Sequence, residues 1–156
     1  MAKNRGKQFE QLIREAFEKV SGVSIDRIPD QTMRHKGAAN ICDFIVYKKP
    51  YEYYIECKTV HGNTLPFSNI SNTQWSGLLE KSKIQGVYAG IMCWWVDKDI
   101  TKFIPIQLLQ SMKENNAKSI RYDFTLFGKD LCTEIKGNKK RVFFDYDMNQ
   151  FFEEVN

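Results

Sequence analysis

The chain has few of the residues that build metal scaffolds and disulfide frameworks. Its 156 residues include four cysteines and two histidines. The cysteines are widely spaced without a C-x-x-C pair, so neither a zinc site nor a disulfide scaffold is indicated. We expect reduced thiols, mostly buried, because free cysteine is among the residues most often found in protein cores. The histidines, His35 and His61, lie in polar stretches without a partner at ligand spacing, and we expect both on the surface.

Long apolar runs are also missing from the sequence. No segment approaches the ~20 apolar residues that span a bilayer, and the opening "MAKNRGKQFE" lacks the apolar core of a signal peptide. These absences predict a cytoplasmic protein with no membrane partner. Hydrophobic residues make up 42% of the chain and charged residues 27%, a balance typical of globular proteins. The length suits one domain, residues 1–156.

A strong excess of one charge is absent, since the formal net charge is only +4. That value permits a polyanionic partner without requiring one. The basic residues gather in short clusters, which favour nucleic-acid binding only modestly. The clusters are Lys3, Arg5 and Lys7; Arg34, His35 and Lys36; Lys48 and Lys49; and Lys136 with Lys139, Lys140 and Arg141.

Hydrophobic periodicity predicts a mixed α/β fold. The run "GVYAGIMCWWV" is nearly all apolar and indicates a central strand buried on both sides, with Trp94 and Trp95 in the core rather than on a stacking surface. The segment "KFIPI" either continues the sheet or leads into a helix. We expect helices at 4–20, from Ser71, at 107–116 and at 148–155; strands at 23–28, 42–47, 53–60 and 141–144; and a loop at 30–40.

Acidic residues stand where the predicted hairpin at 42–60 should be apolar. Residues two apart in a strand share a face, so Glu56 and Lys58 point the same way. Asp43 is expected within about 5 to 8 Å of Glu56 on the neighbouring strand. A two-residue turn at Lys49-Pro50 suits the primed turn types poorly, because proline cannot take a positive φ. We therefore predict a slightly longer loop and a diagonal offset.

Two neighbouring carboxylates repel each other unless a cation lies between them. Oxygen ligands of this kind suit Mg²⁺ or Mn²⁺, which polarise a phosphodiester and lower the pKa of a bound water. The Lys58 ammonium can stabilise the developing charge or orient the attacking water. From Asp43, Glu56 and Lys58 alone, a solvated polar hairpin face is an equally good explanation, because the E-x-K pattern is short and common.

The surroundings of these residues resemble the RecU family of Holliday-junction resolvases, within the PD-(D/E)XK nuclease superfamily. The resemblance rests on Asn4-Arg5-Gly6 followed by Glu10, on the spacing of Asp43 from Glu56-Cys57-Lys58, and on "NTLPFSNISNTQ" at 63–74. It implies a restriction-endonuclease-like mixed β-sheet flanked by helices. It also implies a metal-dependent homodimer that cleaves four-way DNA junctions in recombination and repair.

The resemblance assigns roles to the acidic residues and the lysine. Asp43 and Glu56 would be ligands of Mg²⁺, with Mn²⁺ as a substitute, and Lys58 would be the catalytic lysine. Glu10 would be a further acidic ligand presented by the first helix. The alternative for Glu10 is a surface ion pair with Arg14, four residues on.

Gln74 and several basic residues complete the predicted site. Gln74 either touches the site, as in related nucleases, or closes a capping box with Ser71, and both can hold at once. Arg5, before the first turn of the first helix, is a candidate phosphate ligand, although a generic basic N-terminus explains it nearly as well. The further DNA-binding candidates are Lys7, Arg34 and Lys36.

The chain departs from the family in two places. Cys42 stands where the family has proline, before Asp43. The segment between the first helix and Asp43 is shorter than in bacterial members, where it forms a stalk that engages the junction. A compact, phage-encoded form would fit this and would prefer junctions less strongly. A restriction-type or repair nuclease of the same superfamily and a non-catalytic DNA-binding module remain as alternatives.

Overall fold

A mixed β-sheet with helices on both faces forms the frame of the protein, whose computed structural model describes residues 2–29 and 40–155. The described helices are α1 (Ala2–Glu18), α2 (Asn72–Ser82), α3 (Ile106–Glu114) and α4 (Asn149–Val155). The strands are β1 (Val23–Arg27), β2 (Phe44–Lys48), β3 (Tyr51–Val60), β4 (Thr64–Pro66), β5 (Val87–Trp95), β6 (Ile100–Pro105), β7 (Ser119–Arg121), β8 (Thr133–Glu134), β9 (Gly137–Lys139) and β10 (Phe144–Tyr146). Short 3₁₀ helices lie at Phe67–Asn69 and Val96–Lys98.

The main sheet has six strands in the order β1-β2-β3-β5-β6-β8. All neighbours are antiparallel except β3 and β5, which run parallel and are joined by a crossover that contains α2. Strands β4 and β7 form one separate ribbon, and β9 and β10 form another. This arrangement confirms the predicted α/β class with a mixed sheet flanked by helices.

The sheet separates two hydrophobic cores. Trp94 lies in the core beneath α1 and α4, and Trp95 lies in the core beneath α2 and α3. Strand β5 is therefore buried on both sides, as its apolar run predicts. On α1, Phe9, Ile13 and Phe17 form the buried stripe that the helical periodicity predicts. No helix in the described ranges is both long and apolar enough to cross a bilayer.

The cysteines behave as the sequence predicts. All four are free; Cys42, Cys57 and Cys93 are buried, and Cys132 is half-buried. His61 is exposed, with Nδ1 3.0 Å from Asp97 Oδ1. His35 lies outside the described residues.

The turn between β2 and β3 corrects one prediction. Phe44 pairs with Ile55 and Lys48 with Tyr51, so the connection is the two residues Lys49 and Pro50 rather than a longer loop. The peptide bond between them is cis. A cis proline belongs to type VI turns, to which the positive-φ requirement of the primed turns does not apply.

The C-terminal part of the chain differs from the prediction in its strands. The strand expected at 141–144 is displaced: β9 and β10 flank that segment, and Phe144 pairs with Lys139. The short strands β4, β7 and β8 were also not predicted. Strands of two or three residues are too short to show an alternating pattern, and their pairing depends on distant partners.

Candidate metal-binding site

Asp43, Glu56, Lys58 and Gln74 converge where the chain enters β2 beside the middle of β3. Alternate residues of β3 face opposite cores, and Tyr54 packs on the α2 side of the sheet. Glu56 and Lys58 share that side, since Lys58 Nζ lies 3.2 Å from Glu56 Oε1. The structure thus brings together four of the residues predicted from the sequence.

Asp43 is held by hydrogen bonds to the chain on either side of Glu56. Its N–H donates to the carbonyl of Ile55 at 3.0 Å, and its carbonyl accepts from the N–H of Ile28 at 2.8 Å. Its side-chain Oδ2 accepts from the N–H of Cys57 at 2.8 Å. The main chain of Asp43 is therefore held on both sides, and the Cys57 N–H fixes its carboxylate beside Glu56.

Glu56 is a buried carboxyl with only 5% of its surface exposed. Burial, and then the charge of Asp43, raise the pKa of Glu56 to about 8, while the ammonium of Lys58 acts in the opposite direction. At neutral pH without a metal, the group is therefore mostly protonated, and its hydrogen bond to Asp43 favours that form. Two negative charges are disfavoured here unless a cation joins them.

Gln74 makes both of the contacts expected for it, one with Ser71 and one with Glu56. Ser71 precedes the first residue of α2, and its hydroxyl accepts from the Gln74 N–H at 3.1 Å, while Gln74 Oε1 accepts from the Ser71 N–H at 3.1 Å. The other end of the same amide, Nε2, donates to Glu56 Oε1 at 2.9 Å. The capping box thus fixes the rotamer that reaches the buried carboxyl.

The carboxylate pair fits a divalent cation. Asp43 and Glu56 offer the oxygen ligands that Mg²⁺ prefers, and Mg²⁺ is usually held by one or two carboxylates together with water and substrate phosphate. Within residues 2–29 and 40–155, no three His, Cys, Asp or Glu side chains are grouped closely enough to hold an ion. An ion at this position would rest on the pair.

Glu10 approaches β3 from the α1 side of the sheet. Its Oε2 lies 3.8 Å from Arg27 Nη2, while Arg14, its proposed partner, pairs with Glu18 at 3.1 Å. Burial first, then the charges of Asp43, Glu56 and Glu10, raise the pKa of the Cys57 thiol, which packs beneath α1. Glu10 is thus close enough to influence the strand of the site, and its role as a ligand remains a prediction.

The first turns of α1 lie beside the same part of β3. A Cβ on Gly6 would be 4.0 Å from Oγ1 of Thr59, the residue after Lys58. Arg5 is half-buried and Lys7 is exposed. Both belong to α1, which begins at Ala2, so Arg5 lies within the helix. The remaining DNA-binding candidates, Arg34 and Lys36, are outside the described residues.

Lys102 is a second lysine on the same side of the sheet, and none of the sequence motifs predicted it. Lys58 pairs with Cys93, and Cys93 pairs with Lys102, so the two lysines lie in one row across three strands. Lys102 is 7% exposed, and its Nζ lies 2.5 Å from Asp130 Oδ2. The single lysine within the apolar run of β6 could have indicated this ion pair from the sequence, because a buried lysine needs a partner.

No family model matches the chain, and no curated protein matches it. Solved structures that resemble it include the Holliday junction resolvase Hjc from the archaeal hyperthermophile Archaeoglobus fulgidus. The identity is 19%, the TM-score is 0.49, and the match covers 66% of this chain and 78% of that chain. Likeness at this level assigns no function.

Proposed function

We propose that the protein is a metal-dependent endodeoxyribonuclease that cleaves four-way DNA junctions. The observation that carries the proposal is the buried carboxyl of Glu56 between Asp43 and Lys58. The raised pKa of Glu56 shows that its charged form is costly for the fold, and its position beside a lysine suits phosphodiester hydrolysis. Asp43 and Glu56 would hold Mg²⁺, with Mn²⁺ as a substitute.

Asp43, Glu56 and Lys58 would each contribute to a different part of the hydrolysis. Bound Mg²⁺ would polarise the phosphodiester and lower the pKa of a water molecule. Asp43 is already oriented by the Cys57 N–H, and Glu56 by the amide of Gln74. Lys58, one-fifth exposed, can reach a phosphate oxygen or the attacking water once a cation takes over the charge of Glu56.

The choice of a junction as substrate rests on the ordered motifs around this site. Asn4-Arg5-Gly6 with Glu10 precedes it, and the segment 63–74 that ends at Gln74 follows it, in the order of the RecU family. A four-way junction has approximate two-fold symmetry, so we infer a C2 homodimer with two equivalent sites. Binding would be salt-sensitive because phosphate contacts dominate the affinity for DNA.

The test compares Mg²⁺-dependent cleavage of a synthetic four-way junction by the wild type and by Asp43→Asn. We expect the wild type to nick opposed strands and to be inactive in a chelator. Asp43→Asn should lose at least about 100-fold in rate, because it removes a metal ligand, while its affinity for the junction changes little. Asp26→Asn, on the exposed face of β1, is the matched control and should be fully active.

A linear duplex of the same sequence separates the alternatives. Equal cleavage of duplex and junction would instead indicate a restriction-type or repair nuclease. Junction binding by both proteins without any Mg²⁺-dependent product would indicate a non-catalytic DNA-binding module. Full cleavage by Asp43→Asn would remove this residue from the metal site.

A further inference from the structure

A small hairpin at residues 122–131, here called the Phe127 hairpin, projects from the fold. Leu126 and Lys129 exchange both backbone hydrogen bonds, at 2.8 and 3.0 Å, around a two-residue turn of Phe127 and Gly128. Both turn residues have a positive φ, 50° and 75°, as a type I′ turn requires. The Phe127 side chain is 97% exposed, the highest value among the large apolar side chains of the described residues.

Phe127 is poorly suited to this position if its role is only structural. Type I′ turns favour Asn, Asp or Gly at the first central residue, since a bulky side chain at positive φ is an outlier. The ring buries almost no apolar surface, so hydrophobic burial does not offset the unfavourable backbone conformation. A residue that is both strained and exposed is a candidate for a functional contact.

Both stems of the Phe127 hairpin are tied to strands that surround the candidate site. The N–H of Tyr122 donates to the carbonyl of Asn63, shortly after β3, at 3.0 Å. On the other stem, Asp130 pairs with Lys102 at 2.5 Å and accepts from the N–H of Cys132 at 2.9 Å. The hairpin is therefore anchored on the same side of the sheet as Glu56 and Lys58.

Strand spacing gives the reach of the tip. Lys102 lies two strands from Lys58 in one row, which is about 10 Å. From Asp130 to Phe127 is three residues, at most about 10 Å of chain. The Lys102–Asp130 ion pair adds the length of two side chains, about 10 Å between the two backbones. Phe127 therefore lies within about 30 Å of Lys58, a span of roughly nine steps along one DNA strand.

We propose that Phe127 is a wedge that inserts between unstacked bases at the branch of the DNA substrate. This inference rests on the proposed function and names how the substrate is recognised. Proteins that deform DNA insert phenylalanine between base steps, and aromatic rings stack on exposed bases without sequence preference. The neighbouring Lys129, also exposed, carries the charge that a phosphate backbone attracts. Leu126, beside Phe127, is also exposed, so the tip offers an apolar wedge next to a cation, which matches an unstacked base step and its phosphates.

The experiment uses a four-way junction with 2-aminopurine at its centre and protein that carries Asp43→Asn to prevent cleavage. Unstacking of the probe raises its fluorescence. We expect binding to raise the fluorescence several-fold when Phe127 is present. Replacing Phe127 by Asn should abolish the rise and weaken binding about 10-fold, and Phe127→Trp should restore the affinity. Phe127→Asn suits the type I′ turn, so its melting temperature should not fall, which excludes unfolding as the cause.

The matched control is Tyr47→Ala, another exposed aromatic residue, on β2 near the turn to β3. It should leave both the fluorescence and the affinity unchanged. If Phe127→Asn binds the junction and raises the fluorescence as its parent does, the proposed role of Phe127 as a wedge is wrong.

Cleavage by wild-type protein is measured separately, so the two proposals can fail independently. If the wild type cleaves the junction and Phe127→Asn changes neither the fluorescence nor the affinity, the wedge is refuted and the proposed nuclease activity stands. Absent cleavage with a Phe127-dependent rise refutes the nuclease and leaves the wedge supported. If the junction is not bound at all, both proposals are wrong, and a protein contact becomes the better role for Phe127.

Discussion

At the scale of single residues, the buried carboxyl of Glu56 determines the electrostatics of the site. Lys58 and Gln74 both contact its Oε1, at 3.2 and 2.9 Å, and Asp43 supplies a like charge beside it. The two partners do not offset the cost of burial, since the pKa remains raised. Glu56 is therefore mostly protonated in the metal-free protein, and the proposed metal would favour its ionised form.

The stability of the metal-free protein should fall as the pH rises through the pKa of Glu56. That pKa is about 8 in the folded chain and about 4.3 in the unfolded chain. Because the folded value is the higher one, the stabilising contribution of the protonated group is fully present below about pH 4.3 and is lost as the pH passes about 8. At pH 8.5, Glu56→Gln should be more stable than the wild type by up to about 5 kcal/mol, the free energy that corresponds to the difference between the two pKa values.

Thermal unfolding in a chelator at several pH values checks this difference. Addition of Mg²⁺ at pH 8.5 should raise the melting temperature of the wild type, since a ligand that binds only the native state stabilises it. Glu56→Gln should respond weakly. If the melting temperatures of both proteins depend on pH in the same way, Glu56 does not cause the loss of stability at high pH.

At the scale of elements, α2 is positioned from two directions. Its first turn is fixed by the capping box of Ser71 and Gln74. Its middle is fixed by Gly77, where an added Cβ would lie 2.2 Å from Ile41 Cγ2 and 2.6 Å from Ile41 Cβ. Ile41 precedes Asp43 by two residues, so the contact of Gly77 sets the distance between the helix that carries Gln74 and the chain that carries Asp43.

Gly77→Ala should therefore destabilise the protein although alanine is the better helix former. The propensity gain is about 1 kcal/mol, but the rigid β-branched side chain of Ile41 cannot move away, and overpacking of this kind costs about 1 to 3 kcal/mol. The displaced helix should also lower Mg²⁺-dependent cleavage. Chemical denaturation and cleavage rates measure the two effects.

Ser76→Ala provides the control for Gly77→Ala. Ser76 is exposed on α2, and its hydroxyl only bonds back to the carbonyl of Asn72 at 2.8 Å. Alanine there should be neutral or slightly stabilising. An increase in stability for Gly77→Ala as well would contradict the packing argument.

At the scale of the whole molecule, the sheet both fills the core and presents the site. Strand β5 separates the two cores, and its Cys93 lies between Lys58 and Lys102 in the row that crosses the sheet. A rigid central strand therefore fixes the distance between the candidate metal site and the base of the Phe127 hairpin. Site and hairpin should act on one bound DNA molecule.

The proposed symmetric homodimer leads to a prediction about the cleavage products. Two equivalent sites should cut both opposed strands of a cruciform plasmid within one binding event, which gives linear DNA directly. Monomeric enzyme should accumulate nicked circles first. Electrophoresis of early time points, together with sedimentation of the free protein, distinguishes the two.

Local patterns in the sequence determined much of the framework. The apolar stripe of α1, the buried run of β5 and the Ser71-to-Gln74 capping box are each encoded by residues within a few positions of one another, so they were predicted correctly. The shared face of Glu56 and Lys58 follows from the period of two along a strand. These features depend on nearest neighbours in the chain.

Contacts between distant segments were decided only by the tertiary structure. Examples are the bond from the Cys57 N–H to Asp43, the Glu10–Arg27 contact and the pairing of Lys102 with Asp130. Each depends on which strands become neighbours and in which register, and no local period encodes that choice. The sequence alone therefore determined the longer helices and strands and the shared face of Glu56 and Lys58, while packing of the sheet decided how deeply Glu56 is buried and which groups surround it.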